Sequence, residues 1–286
     1  MPDIPPVPSG PPDRPAPSQT QSAQGRARGP AGMPPPESVR RPRAVLATVG
    51  FSALLALSAY ADPALLAMTV GLVGLVLAWG WHDLLRAPVP TVPRLITGAL
   101  AVAGPAVVAL TPDEPYLRWE PVVVAAGLLA ILLHQLVRTD GRPRLTESLA
   151  IGVGALAVLT CGVPLVPLVR MYGGPDVLAA TAAAVALACL ADLLVGRRRL
   201  HAWTLPVAML LGGWAATAAA FVTGTPRIGQ ALLLGFLVGG VSHAMRRLLA
   251  PLAPMAWARS QLAAASASLL VVGVVVNVLA RVLLTR

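Results

Sequence analysis

The side chains able to do chemistry are few, and most sit at short polar breaks between long apolar runs. The richest break carries His134, Arg138, Asp140, Arg142 and Arg144, with Glu147 opening the run that follows. Arg142 and Arg144 stand just before an expected helix start. Unpaired backbone N–H groups and the positive end of the helix dipole collect there, and such places receive phosphate. Together with Arg138 they are the candidates for holding the phosphate of a lipid headgroup or of an activated soluble substrate. The plainer reading of the same residues is an Asp140-Gly141 turn flanked by orienting arginines. Thr146 or Ser148 would cap the helix, and Glu147 in its first turn suits the dipole.

Three histidines repeat one spacing. His82 precedes Arg86, His134 precedes Arg138 and His243 precedes Arg247, each by four residues, so each pair shares a helix face. Asp192, followed by Arg197, holds the corresponding place in another run, and Asp83 follows His82 directly. His82 and His134 are 52 residues apart and Asp192 and His243 are 51 apart, as in a chain of helical hairpins with a last run added. Neutral imidazole ligates metals and haem. These histidines come from different runs, however, and no His-x-x-His, Cys-x-x-Cys or carboxylate-rich pattern accompanies them. The sequence therefore assigns no metal and no cofactor. His82, Asp83, His134, Asp140, Asp192 and His243 are expected as polar groups at the membrane interface, with Asp83 pairing Arg86 and Asp192 pairing Arg197. Asn277 falls inside the last apolar run. No carboxylate lies nearer the midplane, where proton-coupled transport would be expected to use one. Cys161 and Cys189 lie within apolar runs and form no disulfide framework. P-loop, nucleophile-elbow, HExxH and Asp-rich pyrophosphate motifs are absent from the sequence.

The elements that must position these groups follow from composition. Of 286 residues 56% are hydrophobic and 12% charged, about half the charge density of a soluble domain, which points to the bilayer. Nine apolar runs lie near 44–61, 63–85, 95–111, 120–137, 147–169, 177–195, 202–222, 228–245 and 260–284, each close to the roughly 20 helical residues a hydrocarbon core takes. In lipid the backbone has no water partners, so runs of this length must be helices. Ala61-Asp62-Pro63 makes a tight hairpin between the first two. The third run is short and carries Pro105, and Pro164 and Pro167 should kink the fifth. Gly235 and Gly239 have the small-xxx-small spacing of close helix contacts.

All 22 basic residues are arginine, a bias that fits a GC-rich bacterial genome. With the N-terminus in the cytoplasm and nine crossings, seventeen of them fall on the cytoplasmic side. Arg118, Arg170, Arg227, Arg281 and Arg286 fall outside, beside Asp62, Asp113, Glu114 and Asp176. Dropping one early crossing would erase that bias, so the positive-inside rule selects nine spans with the C-terminus outside. The formal net charge of +10 is thus spread over loops rather than gathered on a nucleic-acid-binding domain. Five of the six tryptophans (Trp79, Trp81, Trp119, Trp203 and Trp257) lie near run ends, where interfacial belts form.

Residues 1–43 hold thirteen of the 29 prolines, with Ser, Gln and Gly, too little apolar surface to offset ordering entropy. This reads as a disordered cytoplasmic tail, not a signal peptide. Its Pro-x-x-Pro pieces offer a ligand to a protein partner, and Arg40, Arg41 and Arg43 can lie against anionic headgroups. The expectation is an all-α polytopic membrane protein of a bacterial cytoplasmic membrane, with a tail at 1–43 and a helical domain at 44–286. Lacking any catalytic constellation, it reads as a small permease or an accessory component of envelope assembly. The alternative is an enzyme acting on a phosphorylated lipid at the cytoplasmic face.

Overall fold

A computed structural model describes residues 42–88, 90–139, 144–194 and 202–284. The proposed disordered tail up to residue 41, and Asp140 and Arg142 of the candidate site, lie outside the described residues, as do Arg197 and His201. The helices are α1 (Pro42–Ala59), α2 (Pro63–Leu84), α3 (Thr91–Leu110), α4 (Glu120–Val137), α5 (Leu145–Gly162), α6 (Gly174–Ala188), α7 (Thr204–Thr223), α8 (Ile228–Leu249), α9 (Ala258–Leu270) and α10 (Gly273–Leu284). The first of these takes in Pro42 and Arg43 from the end of the expected tail. Three-ten segments extend α5 over Val163–Arg170 and α6 over Cys189–Leu194, and a short one at Ala253–Ala256 precedes α9. Strands are absent among the described residues. Among the described residues, eight helical stretches of 18 to 26 residues are long and apolar enough to cross a membrane, α9 and α10 counting together as one. This is a multi-pass, all-α bundle.

Local chemistry sets the boundaries. Asp62 caps α2 by accepting the Ala64 N–H at 2.7 Å, and Pro63 occupies the first turn, where its missing N–H costs nothing. The expected Asp-Pro hairpin is therefore present. The third run is longer than its apolar core suggested: α3 begins at Thr91 and includes Pro93 in its first turn, reaching 20 residues. Pro164 and Pro167 act as expected, since α5 tightens into three-ten geometry just where they enter.

Hydrogen bonds sort the helix ends into two sets. At the arginine-rich end, Asp83 at the close of α2 accepts from Arg94 at the start of α3, and Trp81 donates from Nε1 to the Ile151 carbonyl of α5 at 3.0 Å. Arg247 near the close of α8 donates to Thr204 at the start of α7. At the other end, Tyr60 after α1 donates to Asp176 at the start of α6, which also accepts from Thr225 between α7 and α8. Trp81, expected in an interfacial belt, is 5% exposed, because its indole N–H has a carbonyl partner inside the bundle. Trp79, Trp119, Trp203 and Trp257 are exposed, as belt residues should be.

Glycine contacts hold the bundle tightly. A Cβ on Gly235 would collide with the Gly212 carbonyl oxygen, and one on Gly239 with the Ala208 carbonyl oxygen, so α7 and α8 touch backbone to backbone. The small-xxx-small spacing at 235–239 is thus a packing seam. Gly80 of α2 meets the Arg259 carbonyl of α9 in the same way. α9 is buried along nearly its whole length against α1, α2, α5 and α8, although it carries Ser260, Gln261, Ser266 and Ser268. By contrast α4 buries only Gly127, Ile131 and Gln135 and lies at the periphery.

Candidate functional site

The sequence-selected groups divide among separate environments. In the break after α4, Arg138 and Arg144 are both engaged by side chains, and Arg142 lies outside the described residues. Arg138 donates to Gln135 Oε1 at 3.0 Å, and Arg144 pairs with Glu147. Ser148 does not cap α5, because its buried hydroxyl accepts from Gln135 Nε2 at 2.9 Å. Thr146 is not the cap either: that position falls to Arg144 in left-handed geometry at φ 55°, with no side-chain capping bond. His134 is half-buried on the last turn of α4.

Asp83 pairs across helices rather than with Arg86. Its Oδ1 accepts from Arg94 Nη2 at 2.8 Å, and Arg259 Nη1 of α9 lies 3.9 Å from Oδ2 while its guanidinium stacks over Trp79. Arg86 instead turns the chain out of α2 with φ 53°, and its side chain is exposed. His82 is 1% exposed, with Nδ1 3.5 Å from the Ala78 carbonyl. Among the described residues no three of His, Cys, Asp and Glu come together as a metal site.

Asp192 and His243 do meet. Asp192, on the three-ten extension of α6, places Oδ1 2.9 Å from His243 Nδ1 and accepts from Arg246 Nε through Oδ2 at 2.6 Å. Arg246 Nη1 also donates to Ser242 at 2.6 Å. His243 and Arg246 are 1% and 6% exposed. Asp192 thus takes an arginine from α8; Arg197, the partner expected from its place in sequence, lies outside the described residues. That pairing passes over α7, whereas Asp83 pairs with the next helix, so the two aspartates are not equivalent in the fold. His243 Nε2 and Arg246 Nη2 have no partner among the described residues, and His243 Nδ1, though 2.9 Å from Asp192, is not aligned for a hydrogen bond. Such atoms in a buried setting call for water or a ligand.

A second feature is built from broken helices. The α5 break at Gly162–Val163 packs on the interruption between α9 and α10 at Val271–Val272. A Cβ on Gly162 would strike Leu270, and one on Gly273 would strike the Cys161 carbonyl. In three-ten geometry the Pro164 carbonyl would accept from residue 167, which is a proline and has no N–H. Asn277 of α10, 6% exposed, supplies a donor: its Nδ2 bonds the Pro164 oxygen at 2.9 Å, and its Oδ1 accepts from Arg281. The prolines and Asn277 were visible in the sequence as separate oddities. Nothing in their spacing of 113 residues tied them together.

Three arginines of the arginine-poor end also have structural work. Arg170 donates to the Thr111 and Ala109 carbonyls at the end of α3, where the dipole is negative, and stacks on Tyr116. Arg281 is held by Asn277, and Arg118 lies over Trp119. An open groove of about 820 Å³ between α1, α2 and α3 is lined by residues such as Leu57, Leu65, Met68, Leu72 and Val102, without a charged group, and offers no chemistry.

These features belong to a multi-pass helical membrane protein with a buried Asp–His–Arg cluster near one end and crossed helix breaks within. No known protein family, characterised protein or solved structure matches the chain.

Proposed function

We propose that the protein is a small permease of a bacterial cytoplasmic membrane, with nine crossings, the N-terminus inside and the C-terminus outside. The crossed breaks of α5 and α9–α10 carry the reading. Non-helical backbone at membrane depth is tolerated only where protein buries it or where it lines a path for solute, and discontinuous helices meeting in pairs are how transporters build such paths. A three-ten stretch of eight residues also exceeds the usual length and marks a hinge. Support for the ninth crossing comes from α1. Its 18 residues span about 27 Å. The chain leaves its far end at Tyr60, bonded to Asp176 on the arginine-poor side. Five arginines on that side, three of them structurally engaged, leave the positive-inside bias intact.

The test uses single cysteines. In a chain with Cys161 and Cys189 replaced by alanine, Val163→Cys and Val272→Cys sit at the two breaks, both buried. A permease exposes them to a membrane-impermeant thiol reagent from at least one side of oriented vesicles as it opens. If neither position reacts from either side, while exposed Val278→Cys (in α10) and a loop cysteine serve as lipid and water references, the breaks are packing features and the permease reading fails.

A further inference from the structure

Resting on the permease reading, we infer that the Asp192–His243–Arg246 cluster is the site where a small oxyanion, a carboxylate or a phosphate, binds together with one proton. Charge balance is what requires the proton. Asp192 and Arg246 neutralise each other across 2.6 Å, and His243 Nδ1 lies 2.9 Å from the same carboxylate, close to it though not in hydrogen-bond alignment. A carboxylate oxygen 2.9 Å from His243 Nδ1 keeps the ring proton on Nδ1, so Nε2 of the neutral ring carries a lone pair. The site then offers one proton acceptor, Nε2, and one charge-bearing donor, Arg246 Nη2. Both are buried, lack partners among the described residues, and lie three residues apart on one helix face. Among the described residues, an anion entering alone would leave a buried net charge of minus one, which is strongly disfavoured. An anion entering with a proton, which bonds to Nε2, leaves an imidazolium beside Asp192 and an oxyanion beside Arg246, and the site stays neutral. No redox change or leaving group is involved.

The surroundings fit this assignment. Arg247, the next cation on α8, is turned to Thr204 of α7, and Arg259 of α9 is turned to Trp79 and Asp83. Arg43, at the start of α1, is exposed. From α6 the titratable neighbour is Cys189. α1 packs on α6 and its extension, and α9 packs on α8. Asp192 itself keeps 23% of its side chain exposed.

The experiment is titration calorimetry on the full chain in nanodiscs, with sodium lactate in one arm and inorganic phosphate in the other. Each arm is run in two buffers of different ionisation enthalpy. The expected result is that one anion binds, takes up one proton, and loses about tenfold in affinity per unit rise in pH at the alkaline end of the titration. The arm that responds identifies a carboxylate or a phosphate ligand. His243→Gln should abolish proton uptake and weaken binding more than tenfold at the acid end, the difference closing as the wild type loses affinity towards alkaline pH. Asp192→Asn, which leaves the site positive, should bind the anion without proton uptake. Binding without proton uptake by the wild type, binding unaffected by His243→Gln, or no binding of either anion overturns the inference. Should Asp192→Asn fail to fold, the wild-type proton count and His243→Gln still decide it. Because binding is read without transport, a failure here leaves the permease to be tested separately by the labelling of Val163→Cys and Val272→Cys.

Discussion

Replacing Asn277 by alanine removes the side-chain donor to the Pro164 carbonyl, whose three-ten partner would be the missing N–H of Pro167. Two magnitudes compete. Side-chain hydrogen bonds inside membrane bundles average about 0.6 kcal/mol, because the unfolded chain in lipid finds other partners. A buried carbonyl left with no partner costs about 1–3 kcal/mol. Here the second governs, since a proline at residue 167 cannot step in as donor. The expected loss for Asn277→Ala is about 1–2 kcal/mol, read from detergent-to-SDS unfolding titrations of the purified protein. Asn277→Asp keeps an acceptor for Arg281 but, when ionised, no donor for Pro164, so it should be destabilised as much as the alanine variant. Arg281→Ala, at an exposed position, should cost less than about 0.5 kcal/mol. The decisive measurement is a double-mutant cycle: Pro167→Ala restores a backbone N–H, so the cost of Asn277→Ala should shrink in that background. An Asn277→Asp protein as stable as wild type, or an undiminished cost beside Pro167→Ala, would refute the account.

Gly235→Ala pushes a methyl group into the Gly212 backbone carbonyl, which cannot rotate away, and should cost about 1–3 kcal/mol in the same unfolding assay. Gly50→Ala, with open space around it, should be neutral or stabilising by up to about 1 kcal/mol. Asp192→Ala should destabilise by about 3 kcal/mol by leaving Arg246 buried and unpaired, and the double variant with Arg246→Met should recover most of that loss; a double variant no more stable than the single one contradicts the pairing. The Tyr60 phenol is pushed up to about 12 by burial, with the Asp176 carboxylate beside it adding to the shift. A raised acid favours the protonated form in the fold, so its contribution is full below the ordinary tyrosine value near 10 and disappears as pH rises through about 12. Absorbance at the tyrosinate band should show one phenol titrating late, missing in Tyr60→Phe, and an unchanged titration in that variant would contradict the contact.

The class of protein was legible because bilayer thickness and backbone desolvation leave so little choice. Runs of about 20 apolar residues must be helices, and the hairpin at Asp62-Pro63, the kink at Pro164 and Pro167 and the Gly235–Gly239 seam each follow from one local rule. The candidate site was only half legible. His243 and Asp192 stood out as ionisable groups at run ends, but local spacing pointed Asp192 to Arg197 and Asp83 to Arg86. The fold gives Asp83 Arg94 of α3 in place of Arg86 and gives Asp192 Arg246 of α8, while Arg197 lies outside the described residues. Trp81 misled because position along the chain gives depth in the membrane, not which face of the helix is turned inward.

The break after α4 stood out in the sequence for its density of charge; of its arginines, Arg138 is engaged by Gln135 and Arg144 by Glu147, and Arg142 lies outside the described residues. Gln135, Ser242 and Arg246 carry no motif, and only the packing of α8 against the α6 extension brings Ser242 and Arg246 into a site. That this chain is a bundle of membrane-length helices was written in the residues alone, since period, length and charge bias are properties read along one dimension. Which polar groups meet was settled by packing in three. Asn277 reaches Pro164 and Asp192 reaches Arg246 because helices far apart in sequence lie side by side, and a buried donor or charge takes whatever partner that packing supplies.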